Sequence, residues 1–316
     1  MDPLGKARVG RTDLHVTRLG LGCSGLSKSE TAEQAVDTFQ IAMNQGINYI
    51  DTAPLYGLGR SESRIGRALQ SFDREKLVIS TKVGRLLRPT DDYEVSPEYS
   101  PIYDYSRDAV VGSWESSLER LSVDSVDILF IHDSDYHYDQ AIGEGYPALA
   151  ELRDDGNIKA LGVGMNQWEM ELRFAQEGDF DCFLLAGRYT LLEQGAITDF
   201  LPYCEENQIS VIIGGPYNSG VLAKPDGRYN YRAVPPEIST KVARLQEVCD
   251  EYNVPMRAAA LQFVLAHPVV ISVIPGTKSP MHQKDNLYMI NHHIHRDFWE
   301  NLREKDLIHP DAPVPQ

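Results

Sequence analysis

The sequence predicts an α/β fold, a closed (β/α)8 or TIM barrel with an N-terminal β-hairpin, and three observations carry that prediction. Short segments that are apolar throughout alternate with helical segments of period 3.6, the pattern of parallel strands covered on both faces. Eight strand segments can be counted in this alternation, more than a doubly wound sheet usually holds, and that number closes a barrel. The three longest connections all follow strands, on the side where such a barrel carries its site. No linker, internal repeat or low-complexity run divides the chain, so residues 1–316 are expected to form a single domain.

The elements follow in order. "ARVGRTDLHVT" reads as a hairpin ahead of the first barrel strand. The strands are expected at Arg18–Gly22, Tyr49–Asp51, Leu77–Lys82, Val126–His132, Ile158–Gly164, Cys182–Ala186, Ser210–Gly215 and Ile271–Gly276. The intervening helices show one apolar face each: Ala35, Val36, Phe39 and Met43; then Val110, Trp114, Leu118 and Leu121; then Val242, Leu245 and Val248. The long connections are Gly84–Tyr105, Asp133–Gly145 and Pro216–Pro235.

Composition narrows the function. A net charge of -16 repels phosphate backbones and anionic lipid, so neither nucleic acid nor a membrane surface is an expected partner. No apolar run approaches the roughly 18 residues needed to span a bilayer, and the first residues contain no signal-type apolar stretch. Cys23, Cys182, Cys204 and Cys249 are scattered and form no C-x-x-C. A cytoplasmic protein with no obligate protein partner is expected.

The chemistry sits at strand ends. Asp51 ends the second strand, Lys82 the third and His132 the fourth, with Tyr56 five residues beyond Asp51. Neighbouring barrel strands run in register at the mouth, so these side chains converge. An ammonium beside a phenol favours the phenolate and lowers its pKa, Asp51 can hold that ammonium, and His132 can serve a substrate oxygen. Such a cluster moves the proton of a carbonyl/alcohol pair. The accompanying hydride needs a nicotinamide, since no side chain supplies one. Two histidine-rich runs do not suggest a metal: "HDSDYH" loses His132 to this cluster, and "HHIH" lies beyond the barrel.

At these residues the chain resembles the aldo-keto reductases. "GINYIDTAPLYGLGRSESRIG" (Gly46–Gly66) is similar to the family's signature, and "ISTKVG" and "ILFIHD" to its lysine and histidine motifs. The resemblance implies a barrel that binds NAD(P)(H) without a Rossmann domain, and a catalytic tetrad of Asp51, Tyr56, Lys82 and His132 with Tyr56 as general acid/base. "GLGCSG" (Gly20–Gly25) would then not be a dinucleotide cradle, although it has the G-x-G-x-x-G form. Its glycines would let the backbone approach the nicotinamide side of the cofactor, with Cys23 and Ser24 nearby. The resemblance places the pyrophosphate under Gly214–Leu222, giving Gly214, Pro216, Asn218, Ser219, Gly220 and Leu222 as contacts. Adenosine would lie on Gly276, Thr277, Lys278, His282, Asp285 and Asn286.

The chain departs from the family pattern in three places. Asn166 remains after strand five, but Met165 stands where a serine is common, Ala186 where a glutamine is common, and Gly214 where a tyrosine commonly stacks on the nicotinamide. His282 occupies the position of an arginine common in NADP-preferring members, which favours NAD over NADP. "GVGMNQWEM", "LLAGRYTLL" and "GGPYNSGVLA" resemble a narrower branch of sugar 1-dehydrogenases, of the L-fucose and D-threo-aldose type, and of pyridoxal 4-dehydrogenase. That branch implies oxidation of a cyclic hemiacetal to its lactone. Asp133, Asp135, His137, Asn166, Gln167, Trp168 and Arg188 are candidates, beside Tyr56 and His132, for holding a sugar or aldehyde. An NADPH-dependent aldehyde reductase and a cofactor-sensing subunit are the alternatives.

Overall fold

A computed structural model describes residues 2–87 and 102–316; part of the expected Gly84–Tyr105 connection lies outside them. The strands are β1 (Lys6–Arg8), β2 (His15–Thr17), β3 (Leu21–Gly22), β4 (Tyr49–Asp51), β5 (Val78–Val83), β6 (Arg85–Leu86), β7 (Ile102–Tyr103), β8 (Ile128–His132), β9 (Ala160–Met165), β10 (Cys182–Ala186), β11 (Ser210–Gly214) and β12 (Val270–Ile274). Eight of them form one parallel sheet in the order β12-β11-β10-β9-β8-β5-β4-β3. Parallel bridges Leu19↔Val273 and Gly22↔Gly276 join its two edges and close the barrel. Closure leaves no unpaired edge within the eight strands.

Side chains alternate across each strand. Outward residues such as Ile50, Ile79, Leu129, Leu161, Phe183 and Val211 pack under the helices. Inward residues Tyr49, Val78, Phe130, Leu184, Ile212 and Ile274 fill the barrel. The hairpin β1–β2 plugs its N-terminal end: Val9, Leu14 and Val16 belong to that inner cluster. Gly10 makes the close fit possible, because a Cβ there would lie 2.3 Å from the carbonyl oxygen of Asp181.

The helices are α1 (Ala32–Asn44), α2 (Arg60–Leu69), α3 (Arg107–Leu121), α4 (Tyr138–Gln140), α5 (Tyr146–Asp154), α6 (Trp168–Glu177), α7 (Phe200–Glu206), α8 (Pro236–Glu251), α9 (Met256–Leu265), α10 (Pro280–Ile290) and α11 (Arg296–Glu304). Strict alternation fails between β11 and β12, where two helices intervene. The segment recognised by its period, α8, packs outside, against α11, while α9 lies on β12. Every residue of α9 from Ala258 to Leu265 is buried. A helix apolar all round has no amphipathic period, so the pattern that revealed α8 could not reveal α9.

Candidate active site

The inward alternation that fills the barrel brings Asp51, Lys82 and His132 to the last inward positions of β4, β5 and β8. Tyr56 is returned to them by a tight turn. Its N–H donates to Ala53 O at 3.1 Å, and Gly59 N–H donates to Pro54 O at 2.7 Å. Gly57, Leu58 and Gly59 all take left-handed backbone (φ +65°, +55° and +87°), which glycines at 57 and 59 adopt freely. The "YGLG" sequence is thus the local cause of the Tyr56 position.

Lys82 Nζ donates to both carboxylate oxygens of Asp51 at 2.8 Å and to Thr52 O at 2.7 Å. Both side chains are fully enclosed. Ser80, two residues before Lys82 and on the same face, donates to Asp51 Oδ1 at 2.8 Å. The Tyr56 hydroxyl hydrogen-bonds to Lys82, whose Nζ lies 4.9 Å from the ring centroid. The His132 ring stands edge-on to Tyr56, centroids 6.1 Å apart.

Electrostatics set the protonation states. Burial pulls the Lys82 ammonium down, but Asp51 and the Tyr56 oxygen more than reverse it, so Lys82 stays charged. Burial pushes Asp51 up against the pull of Lys82 and Ser80. Tyr56 departs from the sequence expectation. Its pKa is pushed up to about 12, because burial and the Asp51 charge outweigh the ammonium. Asp51 neutralises the cation that would have favoured a phenolate, and Tyr56 is a proton-bearing phenol at neutral pH. Burial, then Lys82 and Arg85, hold His132 well below the usual imidazole range and therefore neutral.

Around His132 the sequence marked Asp133 but neither Arg85 nor Tyr105. Asp133 Oδ2 lies 3.6 Å from His132 Nε2 and pairs with Arg85 on β6. The Tyr105 hydroxyl donates to His132 O at 2.6 Å and reaches Asp133 O at 3.0 Å. Ser80 was not singled out from the sequence, although its spacing of two from Lys82 puts it on the same strand face; Arg85 and Tyr105 reach the site only through tertiary packing.

The other predicted residues ring the same mouth in part. The glycines of "GLGCSG" serve the barrel seam: a Cβ on Gly22 would meet Ile274 O at 2.7 Å, and one on Gly25 would meet Thr277 O at 2.2 Å. Cys23 is fully buried among helix-facing residues, and its carbonyl accepts the Ser61 hydroxyl at 2.9 Å. Ser24 faces Gly276 across the seam. Asn166 donates to Ala186 O at 2.6 Å. Gly164, Ala186 and Gly214, the last inward positions of β9, β10 and β11, leave that half of the mouth without large side chains.

Beyond β11 the chain turns through left-handed Gly215, Asn218, Ser219 and Gly220, with Pro216 and Leu222 buried. Asn218 donates to Gly187 O at 3.1 Å and Glu193 Oε1 at 3.0 Å. Its buried Oδ1 has no partner among the described residues. Thr277 is buried, while Lys278 and His282 are exposed. Ser279 caps α10 by accepting the His282 N–H. Asp285 pairs with Arg257. Asn286 accepts the Tyr217 hydroxyl at 3.0 Å, which ties Tyr217 to α10, and its Nδ2 is buried without a partner among the described residues. Of the weaker substrate candidates, Arg188 is engaged by Asn230 at 2.7 Å and by Glu193, and Trp168 packs beside Gly195. His137 stacks on Tyr103, and Asp135 accepts from Gln167 at 3.0 Å.

Comparison with known proteins agrees with this geometry. The Aldo/keto reductase family matches residues 18–307. A pyridoxal 4-dehydrogenase of Microbacterium luteolum is 37% identical over 96% of this chain and 98% of its own. A D-threo-aldose 1-dehydrogenase of Pseudomonas sp is 37% identical over 93% of this chain and 95% of its own. Among solved structures, the holo form of an aldo-keto reductase from Bacillus halodurans superposes with a TM-score of 0.81, at 26% identity and 98% coverage of both chains.

Proposed function

This chain belongs to the aldo/keto reductase family of oxidoreductases, and on that premise we propose that it is an NAD-dependent sugar 1-dehydrogenase that oxidises the anomeric carbon of an aldose to the lactone. One domain over residues 1–316 would carry the activity, in the cytoplasm. The carrying observation is the enclosed Asp51–Lys82–Tyr56 chain of hydrogen bonds beside a neutral His132.

The residues present fit a dinucleotide. Gly164, Ala186 and Gly214, on that half of the mouth, carry no side chain larger than a methyl group. The orphaned Asn218 Oδ1 and Asn286 Nδ2 offer an acceptor and a donor along the route to α10. Partial desolvation, and then Lys278, hold His282 below its usual range, which makes it a weaker partner for a 2′-phosphate than an arginine. That favours NAD. When bound, the nicotinamide supplies the hydride acceptor.

The side chains do the rest. The anomeric hydroxyl sits between Tyr56 and His132. His132 is neutral and can donate one hydrogen bond to that oxygen. Lys82 stays charged and orients the phenol. Tyr56 carries the proton in the reductive direction and takes it in the oxidative one. With its pKa near 12, oxidation quickens as alkali populates the phenolate.

The test is absorbance at 340 nm with NAD or NADP and a panel of L-fucose, D-arabinose, L-galactose, D-glucose and pyridoxal. NADH formation with one aldose, abolished in Tyr56→Phe, supports the proposal. Reaction with pyridoxal alone replaces it with pyridoxal oxidation, a reading favoured by the 37% identity to that enzyme. Silence on the panel with NADPH-dependent reduction of simple aldehydes makes it an aldehyde reductase.

A further inference from the structure

We propose that Asp133, held by Arg85, is a specificity-determining residue that takes the hydroxyl on the carbon next to the reacting one, so that 2-hydroxylated aldehydes and hemiacetals are the preferred substrate class. The inference rests on the reading of the mouth as a carbonyl/alcohol site and deepens it.

Position comes first. The reacting oxygen lies within hydrogen-bond reach of Tyr56 and His132. Asp133 Oδ2 is 3.6 Å from His132 Nε2, so a hydroxyl one carbon along the substrate comes within reach of that carboxylate. The backbone is built for this placement. Asp133 has φ +46°, a left-handed conformation that residues other than glycine adopt sparingly. The surroundings hold it there: its N–H donates to Gly164 O at 3.0 Å, and the Tyr105 hydroxyl reaches its carbonyl. Strain that is over-determined in this way clusters at functional sites.

Chemistry comes second. The Asp133 side chain is 30% exposed and Arg85 only 15%, so the carboxylate is the more accessible member of the pair. Arg85 in turn packs on Tyr103, 5.1 Å from the ring centroid. An ionised carboxylate has about four acceptor sites, and one arginine leaves capacity for a substrate hydroxyl. Among the described residues, neither Arg85 nor Arg188 is free to take a phosphate: Arg85 is neutralised by Asp133, and Arg188 is paired with Glu193. A neutral, hydroxylated substrate fits these partners.

The experiment compares NADH-dependent reduction of 2-hydroxypropanal and propanal, which differ only in the neighbouring hydroxyl. Sites built around a substrate hydroxyl reject the analogue lacking it strongly, so wild type is expected to prefer 2-hydroxypropanal in kcat/KM by roughly 100-fold or more. Asp133→Ala is expected to bring that ratio to within about tenfold of unity, whereas Asp133→Asn and Arg85→Lys retain part of the preference. A wild type without preference overturns the inference, as does one that reduces neither aldehyde. Equal loss on both aldehydes in Asp133→Ala, with the ratio intact, also overturns it and makes Asp133 a support for His132 alone. The aldose panel is independent of this ratio. Silence there with a strong preference here defeats the sugar reading and keeps the assignment of Asp133.

Discussion

Substitution of Lys82 by Met puts the central ion pair to a quantitative test. The change keeps the length of the side chain and removes the hydrogen bonds to Asp51 Oδ1, Asp51 Oδ2 and Thr52 O. Asp51, only 2% exposed, keeps Ser80 but loses its countercharge. Removing one partner of a buried pair costs about 3–5 kcal/mol, since the remaining charge is uncompensated. For a chain of this size each kcal/mol corresponds to roughly 2 °C, so Tm should fall by roughly 6–10 °C at pH 8. The deficit should depend on pH. Burial already raises the Asp51 pKa, and losing the ammonium raises it further above the unfolded value of about 3.9. The native state then binds a proton that the unfolded state does not, so stability falls as pH rises between those two values. Thermal melts followed by circular dichroism should therefore show a smaller deficit at pH 5 than at pH 8. The double variant Asp51→Asn/Lys82→Met should recover much of the loss, while remaining inactive. A Lys82→Met protein that melts with wild type at pH 8, or a double variant no better than the single one, would refute a charged, enclosed pair.

Four further outcomes follow from the same geometry. Under the proposed mechanism Tyr56 donates the proton in the reductive direction, and with its pKa near 12 kcat/KM should stay level from about pH 6 to pH 10; a decline beginning near pH 8 would show the phenol to be more acidic. Because His132 is held neutral, the same profile should carry no inflection near pH 6.5. Gly25→Ala drives a Cβ to 2.2 Å from the backbone oxygen of Thr277 and should cost about 1–3 kcal/mol of stability. Calorimetry on that variant should show a lowered Tm, and a loss confined to cofactor affinity would instead restore "GLGCSG" as a nucleotide cradle. His282→Arg places a guanidinium on the exposed first turn of α10 and should improve NADP affinity roughly tenfold, about 1.4 kcal/mol, measured by fluorescence titration.

The barrel and the tetrad were legible for one reason. Strand ends in a parallel barrel are fixed by apolar run length, and the ionisable residue that terminates each run faces the mouth. Asp51, Lys82 and His132 each close such a run, and the glycines around Leu58 announce the turn that returns Tyr56. "GLGCSG" was also legible as something other than a nucleotide loop, but its cause was not. Its glycines are needed because β3 closes against β12, more than 240 residues later, and sequence spacing carries no trace of that contact. The helix α9 escaped because full burial erases periodicity.

The sequence by itself determined the architecture, which four side chains meet at the mouth, and the net negative charge, because these depend on local pattern and composition. Only the tertiary structure decided the proton affinities and the contacts beside His132. Burial and the Asp51 countercharge together reverse the expected fall in the Tyr56 pKa, and both depend on what surrounds the phenol in space. Arg85, Asp133 and Tyr105 meet beside His132 from either side of the 88–101 stretch. A through-space field and a through-space contact have no one-dimensional signature, so the proton affinities and the Arg85–Asp133–Tyr105 contacts were settled by packing.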